Sequence, residues 1–189
     1  MDIAYLKEKH RIASPYEQYV RSGTPDQFEN WQNIYEQTQL ADQDHRLIES
    51  FVRRINVIAL SGIWCGDCVQ QGPLVARIAE AAPQSILLRW LDRGQHLDLQ
   101  AQVAINAGHR VPVLIFCAQD FELVSWYGNR TLHRYRAVAQ QQLGPSCPMP
   151  GAAVPDQQQH ETLQDWLDQF ERVHLLLRLS TRLRQLQGD

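Results

Sequence analysis

Cys65 and Cys68 are the residues of this chain best placed to do chemistry. They stand in Trp64-Cys65-Gly66-Asp67-Cys68, between the apolar run Ile55–Leu60 and a stretch, Val69–Ala79, that reads as a helix. Two cysteines three positions apart at a helix start close a small disulfide ring with little chain movement. Free backbone N–H groups at that start favour a thiolate on the more N-terminal sulfur, Cys65. Cys65 is then the candidate nucleophile that forms a mixed disulfide with a target, and Cys68, one turn on, the thiol that resolves it. The other readings of such a pair are inert packing or half of a zinc site. A zinc site needs two further close ligands. Cys117 and Cys147 are solitary and no His-x-x-x-His spacing accompanies them, so no metal is expected.

The neighbours of the pair carry expectations of their own. Asp67 sets a negative charge near Cys65, which opposes the thiolate. It is also a favourable first-turn residue for the helix dipole. Tuning of potential and partner choice, and plain helix-start chemistry, both remain open for it. Trp64 is expected to be an exposed platform, because the thiol beside it must stay accessible to react. Cys117 is expected to pack in a core strand as a small hydrophobe. Cys147, in a Pro/Gly segment, reads as incidental. Arg89 reads as a solvated strand residue. His96, His109 and His133 show no partner spacing and read as surface or cap residues.

The whole chain sets the frame. Its 189 residues carry 18 Lys and Arg against 21 Asp and Glu, a net charge of −3. That balance gives no sign of nucleic-acid binding or membrane steering. No apolar run approaches a transmembrane length and Met1–His10 has no secretory core, so a cytoplasmic location is expected. Four cysteines in a chain this long are not a disulfide framework, and in a reducing cytosol a close pair is catalytic or metal-binding more often than structural.

The elements that must position the pair are legible from pattern. Residues 1–53 read as an N-terminal helical extension. Ser14-Pro15-Tyr16-Glu17 and Thr24-Pro25-Asp26-Gln27 look like capping boxes with Pro at the first helical position. Phe28, Trp31, Ile34 and Tyr35 share one face. A third helix is expected from Asp42 to Arg53, with Leu47, Ile48, Phe51 and Val52 inward. Residues 54–143 read as the core: strand Ile55–Leu60, a helix that Pro73 should kink, strand Ile86–Leu91, helix Leu97–Ala107 ended by Gly108, strand Val113–Cys117, a turn at Gln119-Asp120, return strand Phe121–Tyr127, and helix Arg130–Leu143. Residues 144–157, rich in Pro and Gly, read as a loop. Residues 158–189 read as a C-terminal helix. Leu163, Trp166, Leu167, Phe170, Val173 and Leu177 are its apolar stripe, continued by Leu176, Leu179, Leu183 and Leu186. Its arginines, Arg172, Arg178, Arg182 and Arg184, read as a solvated face. The β-α-β-α order followed by a hairpin predicts an α/β fold: a parallel first pair through a right-handed crossover, an antiparallel second pair, and helices on both faces.

From about Ile55 to about Leu143 the chain resembles the thioredoxin superfamily. Trp64-Cys65-Gly66-x-Cys68 is similar to the family's active-site sequence. Pro73, eight residues after Cys65, stands where the family's active-site helix is kinked. Val111-Pro112, before an apolar strand, resembles the family's cis-proline, which sequence physics alone would leave trans. Gly128, sixteen residues on, stands where the family places a glycine near the substrate groove. Together with the helical extension and Gly128-Asn129-Arg130, the motif resembles most a bacterial thioredoxin-like subfamily. The chain departs from the family at Ala59, where many members carry a buried Asp, at Asp67 for a Pro, and at Val113 for a Thr.

The resemblance implies a thioredoxin-like fold, a central mixed sheet flanked by helices. It also implies thiol–disulfide oxidoreductase activity through a Cys65/Cys68 dithiol–disulfide cycle, with Trp64, Gly66, Asp67, Val111 and Pro112 lining the substrate site. The substrates would be protein disulfides or small disulfides. The electrons would come from a reductase or a low-molecular-weight thiol, with no bound cofactor and a monomer favoured. The alternative is a redox-sensing or non-catalytic binding module that works through its helical extensions.

Overall fold

Four β-branched or aromatic-rich runs form the sheet. The computed structural model describes residues 1–143 and 158–189. In it β1 (Ile55–Ser61) is buried along its whole length. It pairs in parallel with β2 (Ile86–Asp92), from Ile55 opposite Ile86 to Ser61 opposite Asp92. On its other side it pairs antiparallel with β3 (Val113–Cys117), and β3 pairs antiparallel with β4 (Leu123–Gly128). The order is β2-β1-β3-β4, the mixed sheet expected from the sequence. A strand buried on both faces reads as a near-continuous apolar run; β3 does so, and β1 does so except for Ser61 and for Asn56, whose buried amide donates to the Ala118 carbonyl at 2.8 Å.

Helices α1 (Ile3–Ile12), α2 (Tyr16–Val20), α3 (Pro25–Gln37) and α4 (Asp42–Glu49) precede the sheet. α3 starts with a true capping box: Gln27 N–H donates to Thr24 Oγ1 at 3.3 Å, and Thr24 N–H donates to Gln27 Oε1 at 3.0 Å. The box expected at Ser14 does not form. Ser14 instead exchanges backbone hydrogen bonds of 2.9 and 2.8 Å with Trp90, which covers the free edge of β2. α4 stops at Glu49, short of the expected Arg53, so Val52 is 67% exposed while Ile48 and Phe51 are buried. The aromatic set Tyr16, Tyr19, Trp31 and Trp90 fastens these helices to the sheet. Tyr19 stacks on Trp90 with ring centres 5.5 Å apart and Trp31 meets Trp90 edge-on at 5.8 Å. Each such pair is worth about 0.5–1.5 kcal/mol beyond its burial.

α5 (Gly66–Ala81) follows the cysteine motif and runs through Pro73 as one helix. α6 is shorter than expected, Leu97–Gln102. The remainder of the expected helix, up to Ala107, turns back on itself: Asn106 and Ala107 have φ of 48° and 56°, and Ile105 and Gly108 bond each other's backbone. The return strand begins at Leu123, two residues later than expected, because Phe121 takes a φ of 66° in the turn. α7 spans Leu132–Leu143. The loop expected at 144–157, with Cys147, lies outside the described residues.

α8 (Gln158–Arg178) buries the expected stripe Leu163, Trp166, Leu167, Phe170, Val173 and Leu177. Burying a side chain of this size contributes about 1.5–3 kcal/mol. Phe170 meets Phe116 of β3, and Trp166 meets Tyr127 of β4, both edge-on at 5.3 Å. The single helix expected to residue 189 ends at Arg178, and of the leucines expected to continue its apolar face only Leu183 is buried. Ser180 caps a separate α9 (Thr181–Gln187), accepting from Leu183 N–H at 3.3 Å. Leu183 is buried, whereas Leu176, Leu179 and Leu186 face solvent. Two of the C-terminal arginines are paired: Arg178 with Asp189 at 2.8 Å, and Arg182 with Asp120.

Candidate active site

The motif sits between the end of β1 and the first turn of α5. Trp31 of α3 supports the loop from behind, its Nε1–H donating to the Ile63 carbonyl at 2.9 Å. Gly72 makes room for that ring, since a Cβ there would lie 2.3 Å from Trp31 Cζ3. Cys65 is the N-cap of α5 and Cys68 lies within its first turn. Both are free thiols.

The two sulfurs differ sharply in environment. Cys65 is half-buried, and its pKa is pulled down to about 6, chiefly by the hydrogen bond from the Cys68 thiol. The N–H groups of Cys68 and Asp67 add to this, against the cost of burial and the Asp67 charge. Cys68 is fully buried, and loss of hydration pushes its thiol well up, the neighbouring Cys65 adding to the rise. An accessible, acidic sulfur beside an inaccessible, weakly acidic one divides nucleophile from resolving thiol. Cys117 is buried in β3, and burial alone pushes it up to about 12, so it packs as the small hydrophobe expected.

The sequence-predicted residues come together around Cys65. Trp64 is 59% exposed, its ring lying over Gly62 with the Arg93 guanidinium 5.5 Å from the ring centre. Gly66 is exposed on the first turn of α5. The Val111–Pro112 bond is cis, and the Val111 carbonyl lies 3.9 Å from Cys65 Sγ. Gly128 is held by close approach: with φ of 155°, a Cβ there would lie 2.2 Å from the Pro112 carbonyl oxygen. Arg89 lies half-buried on β2, paired in register with Ile58.

Asp67 is neither free nor a plain helix-start residue. It bonds Arg130 through Nε at 3.1 Å and the terminal nitrogen at 2.8 Å, and Arg134 at 2.9 Å. Arg134 is buried and Arg130 half-buried. Gln71 continues the brace, donating to the Asp67 carbonyl at 3.0 Å and the Asn129 carbonyl at 2.9 Å. Two cations around one carboxylate leave this flank of the motif with net positive charge. Sequence reading named Arg130 only within the Gly128-Asn129-Arg130 resemblance and missed Arg134 and Gln71 as partners of Asp67, a pairing that no local signal marks. It also missed the partners of His133, whose Nδ1 lies 2.7 Å from Asp165 and Nε2 3.0 Å from Glu161, tying α7 to α8.

A cleft of about 920 Å³ opens elsewhere, between α2, α3 and β2, lined by Tyr16, Phe28, Tyr35 and Leu88 and touching neither cysteine. Among the described residues no group of three or more His, Cys, Asp or Glu converges as a metal cage, and no helix is long and apolar enough to cross a membrane.

Two solved structures share this architecture over most of their length. A crystal structure of a protein of unknown function from Pseudomonas aeruginosa superposes with a TM-score of 0.67 at 18% identity, over 88% of this chain and 96% of that one. An HIV epitope-scaffold structure gives 0.67 at 16% identity, over 88% and 97%. The germline-specific thioredoxin Deadhead from Drosophila melanogaster gives 0.37 at 16% identity, over 52% and 90%. No curated protein sequence matches this chain. A family model described as thioredoxin matches residues 13–141, well over half of the sequence. The chain belongs to the thioredoxin family.

Proposed function

We propose that this protein is a thiol–disulfide oxidoreductase. The observation that carries the reading is the division of the Cys65–Cys68 pair into an accessible acidic thiol and a buried thiol behind it. The Cys65 thiolate attacks one sulfur of a target disulfide. The target S–S bond breaks, the other target sulfur leaves as a thiolate, and a mixed disulfide joins Cys65 to the target. Cys68 then attacks Cys65 Sγ. Its proton goes to the departing target sulfur, and the Cys65–Cys68 disulfide remains. Two electrons pass to the target, and an external dithiol or low-molecular-weight thiol restores the pair. In a reducing cytosol, target reduction is the favoured direction.

Protein disulfides are the proposed substrate class. An extended segment laid beside Val111 would pair with its backbone and present its disulfide over Cys65, with Trp64 as a flanking apolar surface. The test is reduction of a model protein disulfide with dithiothreitol as electron donor. Activity in the wild type, its loss in Cys65→Ser, and a trapped mixed disulfide in Cys68→Ser support the reading. Equal rates in wild type and Cys65→Ser overturn it.

A further inference from the structure

The second half of the proposed cycle, on whose validity this inference rests, asks a fully buried thiol to become a nucleophile. Cys68 has no contact with solvent. The groups that bear most on its sulfur are Cys65, the Gly62 N–H at 3.4 Å and the Ser61 hydroxyl, and no carboxylate is among them. Ser61 ends β1, fully buried, and its Oγ has no hydrogen-bond partner. Tyr19 of α2 lies near enough to Ser61 for the two hydroxyls to influence each other, and the Tyr19 oxygen is likewise buried without a partner. Buried hydroxyls are nearly always satisfied. These two hydroxyls, near a reactive sulfur, are free to turn toward a charge that the resting thiol does not carry.

We propose that Ser61 is a catalytic hydrogen-bond donor to the sulfur of Cys68, and that Tyr19 is the residue that positions it. As Cys68 gives up its proton, Ser61 O–H turns to donate to the developing thiolate beside the Gly62 N–H. Ser61 Oγ in turn accepts from Tyr19 O–H. All three groups then gain partners at the moment negative charge forms, which is how preorganised donors favour a transition state over the ground state. In this step the bond between Cys65 and the target sulfur breaks and the Cys65–Cys68 bond forms. The electron pair and the Cys68 proton leave with the target sulfur. The other titratable groups that bear on this relay are Cys65 at the N-cap of α5 and Asp92 at the end of β2, across from Ser61.

Stopped-flow reaction of the reduced protein with a chromogenic aryl disulfide separates the two halves. A first, concentration-dependent release of chromophore reports Cys65 attack, and a second, unimolecular release reports resolution by Cys68. A hydrogen bond to a charged sulfur changes its thiolate fraction by about tenfold to a hundredfold, partly offset by the greater nucleophilicity of the more basic thiolate. The second phase of Ser61→Ala should therefore slow about three- to tenfold against the first phase as internal reference, with its pH midpoint moved up. Ser61→Thr should restore it, and Tyr19→Phe should slow it by less. If Ser61→Ala does not fold, Tyr19→Phe alone decides the matter through the same ratio. An unchanged second phase overturns the assignment, as does equal slowing in Ser61→Ala and Ser61→Thr. A wild-type protein that releases only one chromophore forms no Cys65–Cys68 disulfide, and that outcome overturns the oxidoreductase reading itself.

Discussion

Replacing Cys68 by alanine removes the donor that does most to hold the Cys65 thiolate, and the size of the effect can be worked from the ordinary strength of such a bond. A hydrogen bond to a charged group contributes about 1.5–3 kcal/mol, and S–H is a weak donor, which places this one at the lower end. At about 1.4 kcal/mol per pKa unit, its loss raises Cys65 by about one unit. The N–H groups of Cys68 and Asp67 remain, so the acidity is reduced and not abolished. The midpoint then moves from about 6 to about 7. Alkylation requires the thiolate, so the rate of iodoacetamide reaction rises with pH through the midpoint and levels off above it. Near the wild-type midpoint the variant reacts about fivefold more slowly, and well above both midpoints the two rates converge. Cys68→Ser keeps a hydroxyl donor at the same place and should stay at or below the wild-type midpoint. Mass-tagged alkylation of Cys65 across the pH range measures all three. Identical midpoints in wild type and Cys68→Ala would refute the argument that the buried thiol makes its neighbour acidic.

Other expectations follow from single contacts. Asp67→Asn weakens both guanidinium pairs and leaves the buried Arg134 cation poorly compensated, which should cost about 1–3 kcal/mol in urea denaturation. The same change removes the negative charge that opposes the thiolate, so the Cys65 alkylation midpoint should fall even as the protein loses stability. Gly128→Ala forces a Cβ against the Pro112 carbonyl and should lower stability by about 3 kcal/mol or more, read as a fall in Tm. Trp31→Phe leaves the Ile63 carbonyl without its donor and should cost about 1–3 kcal/mol by calorimetry, while Cys65 acidity stays put. Phe170→Ala opens a cavity between α8 and β3 and should cost about 3–5 kcal/mol in urea denaturation.

Much of the frame was legible because it rests on local patterns. Apolar runs of strand length gave β1, β2 and β3. The Thr24-Pro25-Asp26-Gln27 signature gave the start of α3, and helical periodicity gave the buried stripe of α8. What failed did so where a tertiary contact overrides a local preference. Leu97–Ala107 is rich in helix formers, yet backbone pairing of Ile105 with Gly108 claims its last turn. Ser14 has the residue type of a cap, but its backbone is taken by Trp90, seventy-six positions away. At Ser180-Thr181 the signal was present, a serine able to cap a new helix, and leucine periodicity masked it.

The site shows the same division. The cysteine pair, Trp64 and Val111-Pro112 are marked by sequence, and the structure brings Val111 to within 3.9 Å of Cys65 Sγ, beside the exposed Trp64. The pairing of Asp67 with Arg130 and Arg134 spans more than sixty positions, and no spacing rule reaches that far. Ser61 reads as an ordinary strand end. Only its burial beside Cys68, with an unpartnered oxygen, gives it chemical meaning.

The most direct test of the central claim is an equilibrium titration of the Cys65–Cys68 couple in dithiothreitol or glutathione redox buffers, with free thiols counted by mass-tagged alkylation and Cys68→Ser as control. A single reversible two-electron transition at the reducing end of the roughly −270 to −120 mV spanned by thioredoxin-fold proteins is the predicted result. Failure to form any reversible disulfide would contradict the account.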